Sequence, residues 1–585
     1  MDREDESITF LDMTACEPRH AISEEFEKGK WTSCIYRTEQ GEGKMLFCGP
    51  DTQAPPLRLR LGVKGWYHIF VGTYRSEQAT PDWCLLVKLS GDRGYTRAVA
   101  ETFRPDKDLV PREMVPGPAD ICEAYWKSAD LTGQDIIFHR PAAGAIAESS
   151  TNISCIRLVP LSDSEKASAE KDLARRDTRT LIANYDGGQH HKWAYATDQE
   201  MVDEFQALAE SDFKMVLWGV ASSFATHYPS RVGSVMKWSF GLSGYNRHGW
   251  QVMDRYRRHG FNPLSAAVRC AKAIGIDIYA EVRMLGEQLP PNHRGFLGPG
   301  DFQRQHPEWR CLTPEGYPAR HLSQAFPEVM AKCVDLFREW VEDYGVDGVC
   351  IIFCRSFPYV LYERPVVESF RERHGVDMRS LGPFDKRVLS HQAEFLTQLL
   401  RETRGMLDEV GKKQGRRLGT CYVVPADGYT ARGCPDLGPF TTPWSRAMDV
   451  ETWVREGLVD HLVVHIEATG APDGKDCIPR LRPYVELARG TGTKVYADLY
   501  PRRQAAESRR IRALSCYEAG VDGLSIWDSH WMANRLSGWA MTRLLGHREE
   551  LPRMKAFAES MYRHVPMTWL DGFMLQNDFG LPTDG

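Results

Sequence analysis

The chain has 585 residues, more than one compact core organises, so a barrel-sized domain with an accessory domain is expected. Hydrophobic residues make up 42% and charged residues 26%, with 73 basic against 79 acidic side chains and a net charge of −6. That balance is ordinary for a soluble globular protein and argues against a nucleic-acid groove or a membrane surface.

No run of about 18 apolar residues offers a transmembrane helix. The start, "MDREDESITFLDM", is acidic and lacks the positive region and apolar core of a secretory signal, so the expectation is a cytoplasmic location or a leader already removed. The 15 cysteines are scattered without a Cys-x-x-Cys pair, and Cys270, Cys333, Cys350 and Cys354 sit inside apolar patterns. They read as buried free thiols in a reducing compartment.

Residues 1–162 read as β structure. "PLRLRLGVKGWYHIFVGTYR" (56–75) alternates apolar and polar residues around a glycine break, and "DWCLLVKLSG", "QDIIFHRP" and "SCIRLVPLS" continue the pattern. Short strands between Gly, Pro and Asp turns predict an all-β sandwich, jelly-roll-like in its late strands. Residues 163–178 then form a polar, helix-prone linker without a sustained apolar stripe.

From Thr178 the pattern alternates strand and helix. Strands are expected at 180–186, 214–220, 277–284, 348–355, 417–424, 460–467, 494–500 and 523–529. Helices between them carry end signals, as in "NPLSAAVRCAKAIG" (262–275), which opens on Asn-Pro and ends at Gly. Eight such units predict a (β/α)8 TIM barrel over 179–545. The tail, 546–585, reads as a final helix and an aromatic coil packed on the barrel.

In this fold the chemistry lies at the carboxyl ends of the strands, and residues two apart share a face. Strand one ends with Asn184 and Asp186 on one face, followed by a loop with His190 and His191. Strand three offers Glu281 and Arg283, and strand four ends at Arg355. His465 and Glu467 share a face of strand six, Tyr496 and Asp498 one of strand seven. Strand eight brings Asp528 and His530 beside Trp527 and Trp531.

Carboxylates with arginine, histidine and aromatic rings suit sugars, whose CH faces stack on rings and whose hydroxyls need polar partners. Cleaving a glycosidic bond takes an acid for the leaving oxygen and a second carboxylate to attack or to activate water. Glu467 and Asp528 are the leading candidates, with Asp186, Glu281 and Asp498 next. Arg283, Arg355, His190, His191, His465 and His530 would grip hydroxyls or an anionic substituent, and Tyr362, Trp527 and Trp531 would stack on rings. Each has a plainer structural reading, such as a Glu281–Arg283 ion pair or a satisfied core acid at Asp498.

Other chemistries find little support. Strand one offers "DGGQHH", strand five ends "CYVVPADG" without histidine, and His465 stands alone, so no metal is expected. No P-loop, dinucleotide fingerprint or Gly-x-Ser-x-Gly elbow occurs, so no cofactor is expected either.

The segment "HPEWRCLTPEGYPARHLSQAFPEVMAKCVDLFREWVEDYGVDGVCIIFCR" (306–355) resembles the middle of glycoside-hydrolase-like barrels of the family-10-like type. The resemblance extends over about 178–545. It implies a barrel acting on an oligo- or polysaccharide. Relatives commonly carry Asp-Gly-x-x-x-Asp in strand four, whereas here Asp347-Gly348 is followed by Ile352 at the acid's place, while Arg355 and Pro358 remain. A hydrolytic pair must therefore come from other strands, or from Glu363 if its loop folds back toward the mouth. Two rivals stay open: a non-catalytic carbohydrate-binding barrel, and a polysaccharide lyase acting on a uronate. Sugar, linkage and assembly, including a homo-oligomer, are not fixed at this level.

Overall fold

The computed structural model describes the chain except residues 1–5, 50–53, 77–83, 100–118, 142–149, 176, 188, 193–195, 237–243, 285–299, 355–356, 427–441, 467–473, 500–503, 528, 530–535 and 576–585. Side chains of 76, 99, 191–192, 244–248 and 537 are likewise outside the described set.

Eight parallel strands close the barrel: β1 (Thr180–Tyr185), β2 (Phe213–Ser222), β3 (Asp277–Arg283), β4 (Gly348–Ile352), β5 (Gly419–Pro425), β6 (His461–His465), β7 (Lys494–Asp498) and β8 (Gly523–Ile526). Each pairs with its sequence neighbour, and β1 pairs with both β2 and β8. This is the (β/α)8 architecture expected from the alternation, with strand positions as read and ends shifted by a few residues.

The end signals of the helices act as anticipated. Asn262 caps Pro263–Ile274 by accepting the Ser265 N–H, and Gly275 closes it at φ 72°, where a Cβ would be strained. The helix Pro327–Glu339 runs on through a wider turn, Trp340–Tyr344, to Gly345.

The two Val-Asp-Gly turns are one device used twice. Asp347 Oδ2 accepts the Ile278 N–H at 3.0 Å, and Asp522 Oδ2 accepts the Val495 N–H at 2.9 Å. Each aspartate thereby satisfies the start of the strand before its own. The glycines then make room for tyrosines at the barrel floor. A Cβ on Gly348 would lie 2.3 Å from the Tyr279 ring, and one on Gly523 3.0 Å from the Tyr496 ring. Tyr279 and Tyr496 so plug the amino-terminal end, beneath Ile182, Leu217, Cys350, Ile352, Cys421, Val423 and Val463 along the axis.

The amino-terminal region is a two-sheet sandwich. Leu57–Leu59, Ile136–His139, Cys84–Leu89 and Thr96–Val99 form a four-stranded antiparallel sheet. Leu59, Val87, Ile136 and Phe138 from it share a core with Trp31, Leu46, Ile69, Val71 and Ile156 of the larger sheet. Phe70, Tyr125 and Val159, on the larger sheet's other face, join the core around the barrel. The connector is a helix, Asp163–Ala174, with a Ser162–Glu165 capping box and no buried residue.

The tail differs from its sequence reading. After a short helix, Lys555–Glu559, it forms a strand, Tyr562–Leu570, within the larger amino-terminal sheet. Tyr562–Pro566 pair with Ala119–Asp130, and Met567–Leu570 pair with Trp31–Thr38. Pro566 explains the misreading, because a proline in a central strand normally forfeits a ladder bond. Here it sits where the strand changes partners.

Candidate functional site

The carboxyl ends of the barrel strands gather a connected set of polar groups. Asp186, just past β1, receives two donors on Oδ2: the Arg283 guanidinium from the end of β3, and Trp527 Nε1 at 2.6 Å from the end of β8. Arginine and indole nitrogens can only donate, so this oxygen carries no proton. The guanidinium also lies 5.5 Å from the Trp527 ring centre, a cation–π contact. Glu281 sits two residues before Arg283, with Tyr279 on the same inward face, and is 1% exposed.

A second pair lies beside the first. His465 and Asp498 end β6 and β7, stand in direct register, and bond through Nδ1 and Oδ2. Both are 1% exposed. The His465 ring lies 4.8 Å from that of Trp527 at 51°, which links this pair to Asp186 and Arg283. Five strands, β1, β3, β6, β7 and β8, thus contribute to one cluster.

Asn184 was passed over as a site residue. It shares the inward face with Asp186, is fully buried, and neither its amide oxygen nor its amide nitrogen has a hydrogen-bond partner among the described residues. Ser525 Oγ on β8 and Asp498 Oδ1 are in the same state. The signal for Asn184 was its parity with Asp186. Buried polar atoms left in this way are costly in a merely structural core.

The remaining candidates fall out differently. His190 is buried, with Nε2 3.0 Å from the Gly219 carbonyl, Nδ1 3.0 Å from Tyr256 Oη, and its ring stacked on His227. Those are bonds of the shell around β2, not of the axis. Tyr362 packs in the core around the barrel and its N–H donates to the Leu312 carbonyl. Glu363 does not reach toward the mouth: its carboxylate accepts the N–H groups of Leu361 and Leu312, and burial pushes its pKa up. It organises the turn into Arg364–His374.

Glu467, Asp528, Arg355, His530, Trp531 and the His191 side chain lie outside the described residues. On β8, Trp527 belongs to the inward set, whereas Ile526 packs outward. β4 presents Cys350 and Ile352 to the axis, followed by Cys354 just beyond it, and no acid. Among the described residues no cluster of His, Cys, Asp or Glu is arranged to hold a metal ion. Among them, too, no helix is long and apolar enough to cross a membrane.

No family model matches the chain, and no curated protein matches it in sequence. Solved structures do match. Alpha-L-fucosidase isoenzyme 2 from Paenibacillus thiaminolyticus is 11% identical at a TM-score of 0.37, covering 66% of this chain and 51% of that one. A beta-galactosidase from the psychrophilic Marinomonas ef1 is 11% identical at 0.39, covering 65% and 61%. An alpha-galactosidase from Lactobacillus brevis is 10% identical at 0.32, covering 88% and 63%. The chain thus spans 51% to 63% of the length of these structures. Similarity this distant carries no argument about what the chain acts on.

Proposed function

We propose that the chain is a carbohydrate-active enzyme, a glycoside hydrolase working at the carboxyl-terminal mouth of its barrel on an oligo- or polysaccharide. The observation that carries this reading is Asp186 Oδ2, which accepts from both Arg283 and Trp527, with Glu281 two residues before Arg283 on the inward face of β3. A carboxylate held by cationic and N–H donors, with a further carboxyl at the same mouth, is what the departure of a sugar's leaving group requires. Asp186 would stabilise positive charge at the anomeric centre. Glu281 or Glu467 would protonate the leaving oxygen, with Asp528 a further acid at the end of β8. Arg283, and Arg355 with His530 beyond β4 and β8, would orient hydroxyls, and the indoles of Trp527 and Trp531 would offer apolar surface.

The test is a screen of aryl glycosides and polysaccharides with the wild type and Asp186→Asn, Glu281→Gln, Glu467→Gln and Asp528→Asn. Turnover by the wild type is expected, with losses of about 100-fold or more for the acid and for Asp186. The acid-free face of β4 favours a second reading, a carbohydrate-binding barrel without catalysis. Binding without turnover, unaffected by Glu467→Gln and Asp528→Asn, would select it.

A further inference from the structure

Strand β6 turns two histidines to the axis, and the fold treats them differently. His461 lies at the floor, where Nδ1 is 3.1 Å from Tyr496 Oη and the ring meets Tyr279 edge to face. It belongs to the plug. His465 ends the same strand at the mouth, opposite Asp498. A carboxylate can only accept, so the hydrogen between them sits on His465 Nδ1, and Nε2 is the nitrogen that takes up a proton.

The plain alternative is a buried ion pair stapling β6 to β7. Those strands already share a backbone ladder from His461 to His465. Asp498 Oδ1 is also buried without a hydrogen-bond partner among the described residues, and a staple gains nothing from that cost. The pair stands at the end of the barrel where chemistry occurs, in contact with the ring of the residue that holds Asp186.

We infer that His465 is the general base of the proposed hydrolysis, accepting a proton at Nε2, and that Asp498 is the positioning residue behind it. This step rests on the hydrolase reading. A water O–H breaks, its proton passes to His465 Nε2, and its oxygen bonds to the anomeric carbon. The bond from that carbon to the leaving oxygen breaks, and the leaving oxygen takes the proton of the site's carboxylic acid. The imidazolium keeps its Nδ1–H on Asp498 and returns the extra proton through solvent. Direct attack by water inverts the anomeric centre.

Among the described residues, the groups facing His465 are Asp498 from β7 and the neutral Trp527 from β8, with Asp186 and Arg283 behind that indole. Glu281 stands on β3 and Cys354 beyond β4, and β5 places the uncharged Pro425 in register. Among the described residues, Asp498 is thus a charge in direct contact with the imidazole.

The test uses the full chain and a glycoside found by the screen. His465→Ala should lose on the order of 100- to 10,000-fold in kcat. Added imidazole should restore at least about tenfold of it, and should not restore a His461→Ala control. Asp498→Asn should move the acidic limb of kcat/KM to lower pH, because a neutral partner no longer favours the imidazolium. The released sugar should show inverted configuration by proton NMR. An unmoved limb, no rescue by imidazole, or retention overturns this step alone. No turnover of any glycoside by the wild type overturns the hydrolase reading and this step together.

Discussion

Trp527 Nε1 donates to Asp186 Oδ2 at 2.6 Å, so the last barrel strand is tied to the first by a side-chain bond as well as by the ladder between β8 and β1. Trp527→Phe keeps an aromatic ring under Arg283 and removes that donor. A bond to a charged acceptor contributes about 1.5–3 kcal/mol. Trp527→Phe should therefore lower kcat by roughly 10- to 100-fold while the fold, read by far-ultraviolet circular dichroism, is retained. Unchanged kcat would remove Trp527 from the group that positions Asp186.

The barrel floor makes a sharper prediction about packing. A Cβ on Gly419 would lie 2.0 Å from Tyr279 Oη and 2.8 Å from its Cζ. Gly419→Ala should cost about 1–3 kcal/mol through overpacking. Tyr279→Phe in the same chain removes the nearer of the two atoms and should recover part of that loss. The double-mutant cycle, measured by urea unfolding, should show coupling of about 0.5 kcal/mol or more. Strict additivity would mean that the two side chains do not meet.

Periodicity made the barrel legible, because helices such as Pro263–Ile274 end on residues with a mechanical role, Asn262 and Gly275, and the strands are buried runs. Parity placed Glu281 with Arg283 and Asn184 with Asp186. It could not show which strands meet over the axis. Asp186 finds its partners 97 and 341 residues away, on β3 and β8, and nothing local marks that pairing. Parity also separates the inward Trp527 from Ile526, which packs outward. The Val-Asp-Gly repeat was legible as a turn. Its function, an aspartate serving the previous strand and a glycine admitting a tyrosine, needed three dimensions.

The carboxyl-terminal strand should be indispensable to the amino-terminal sandwich. Tyr562–Pro566 cover one edge, that of Ala119–Asp130, and Met567–Leu570 cover another, that of Trp31–Thr38. The fully buried Glu123 takes Arg563 from this strand as well as Arg157. Ending the chain at Ser560 would uncover two strand edges and remove one of the cations on Glu123. The truncated chain should be recovered mainly as aggregate, judged by soluble yield and size-exclusion chromatography. A monodisperse product of native thermal stability would contradict the stitching role.

His547 makes stability depend on pH. It bonds through Nδ1 to Asp212 Oδ2 at 2.8 Å, and its Nε2 lies 3.5 Å from Asp172 Oδ1 on the connector helix. Burial alone would lower its pKa, but the two carboxylates outweigh that and raise it to about 9. A histidine in the unfolded chain titrates near 6.5. The folded form therefore holds the proton more tightly. The stabilisation, on the order of 3 kcal/mol at most, is full below about pH 6.5 and fades as pH rises toward 9. Urea midpoints measured from about pH 6 to about pH 10 should fall more steeply for the wild type than for His547→Gln. The difference between the two should be largest at the acidic end. Parallel curves would show that the link between the connector helix and the barrel's amino-terminal face carries no charge.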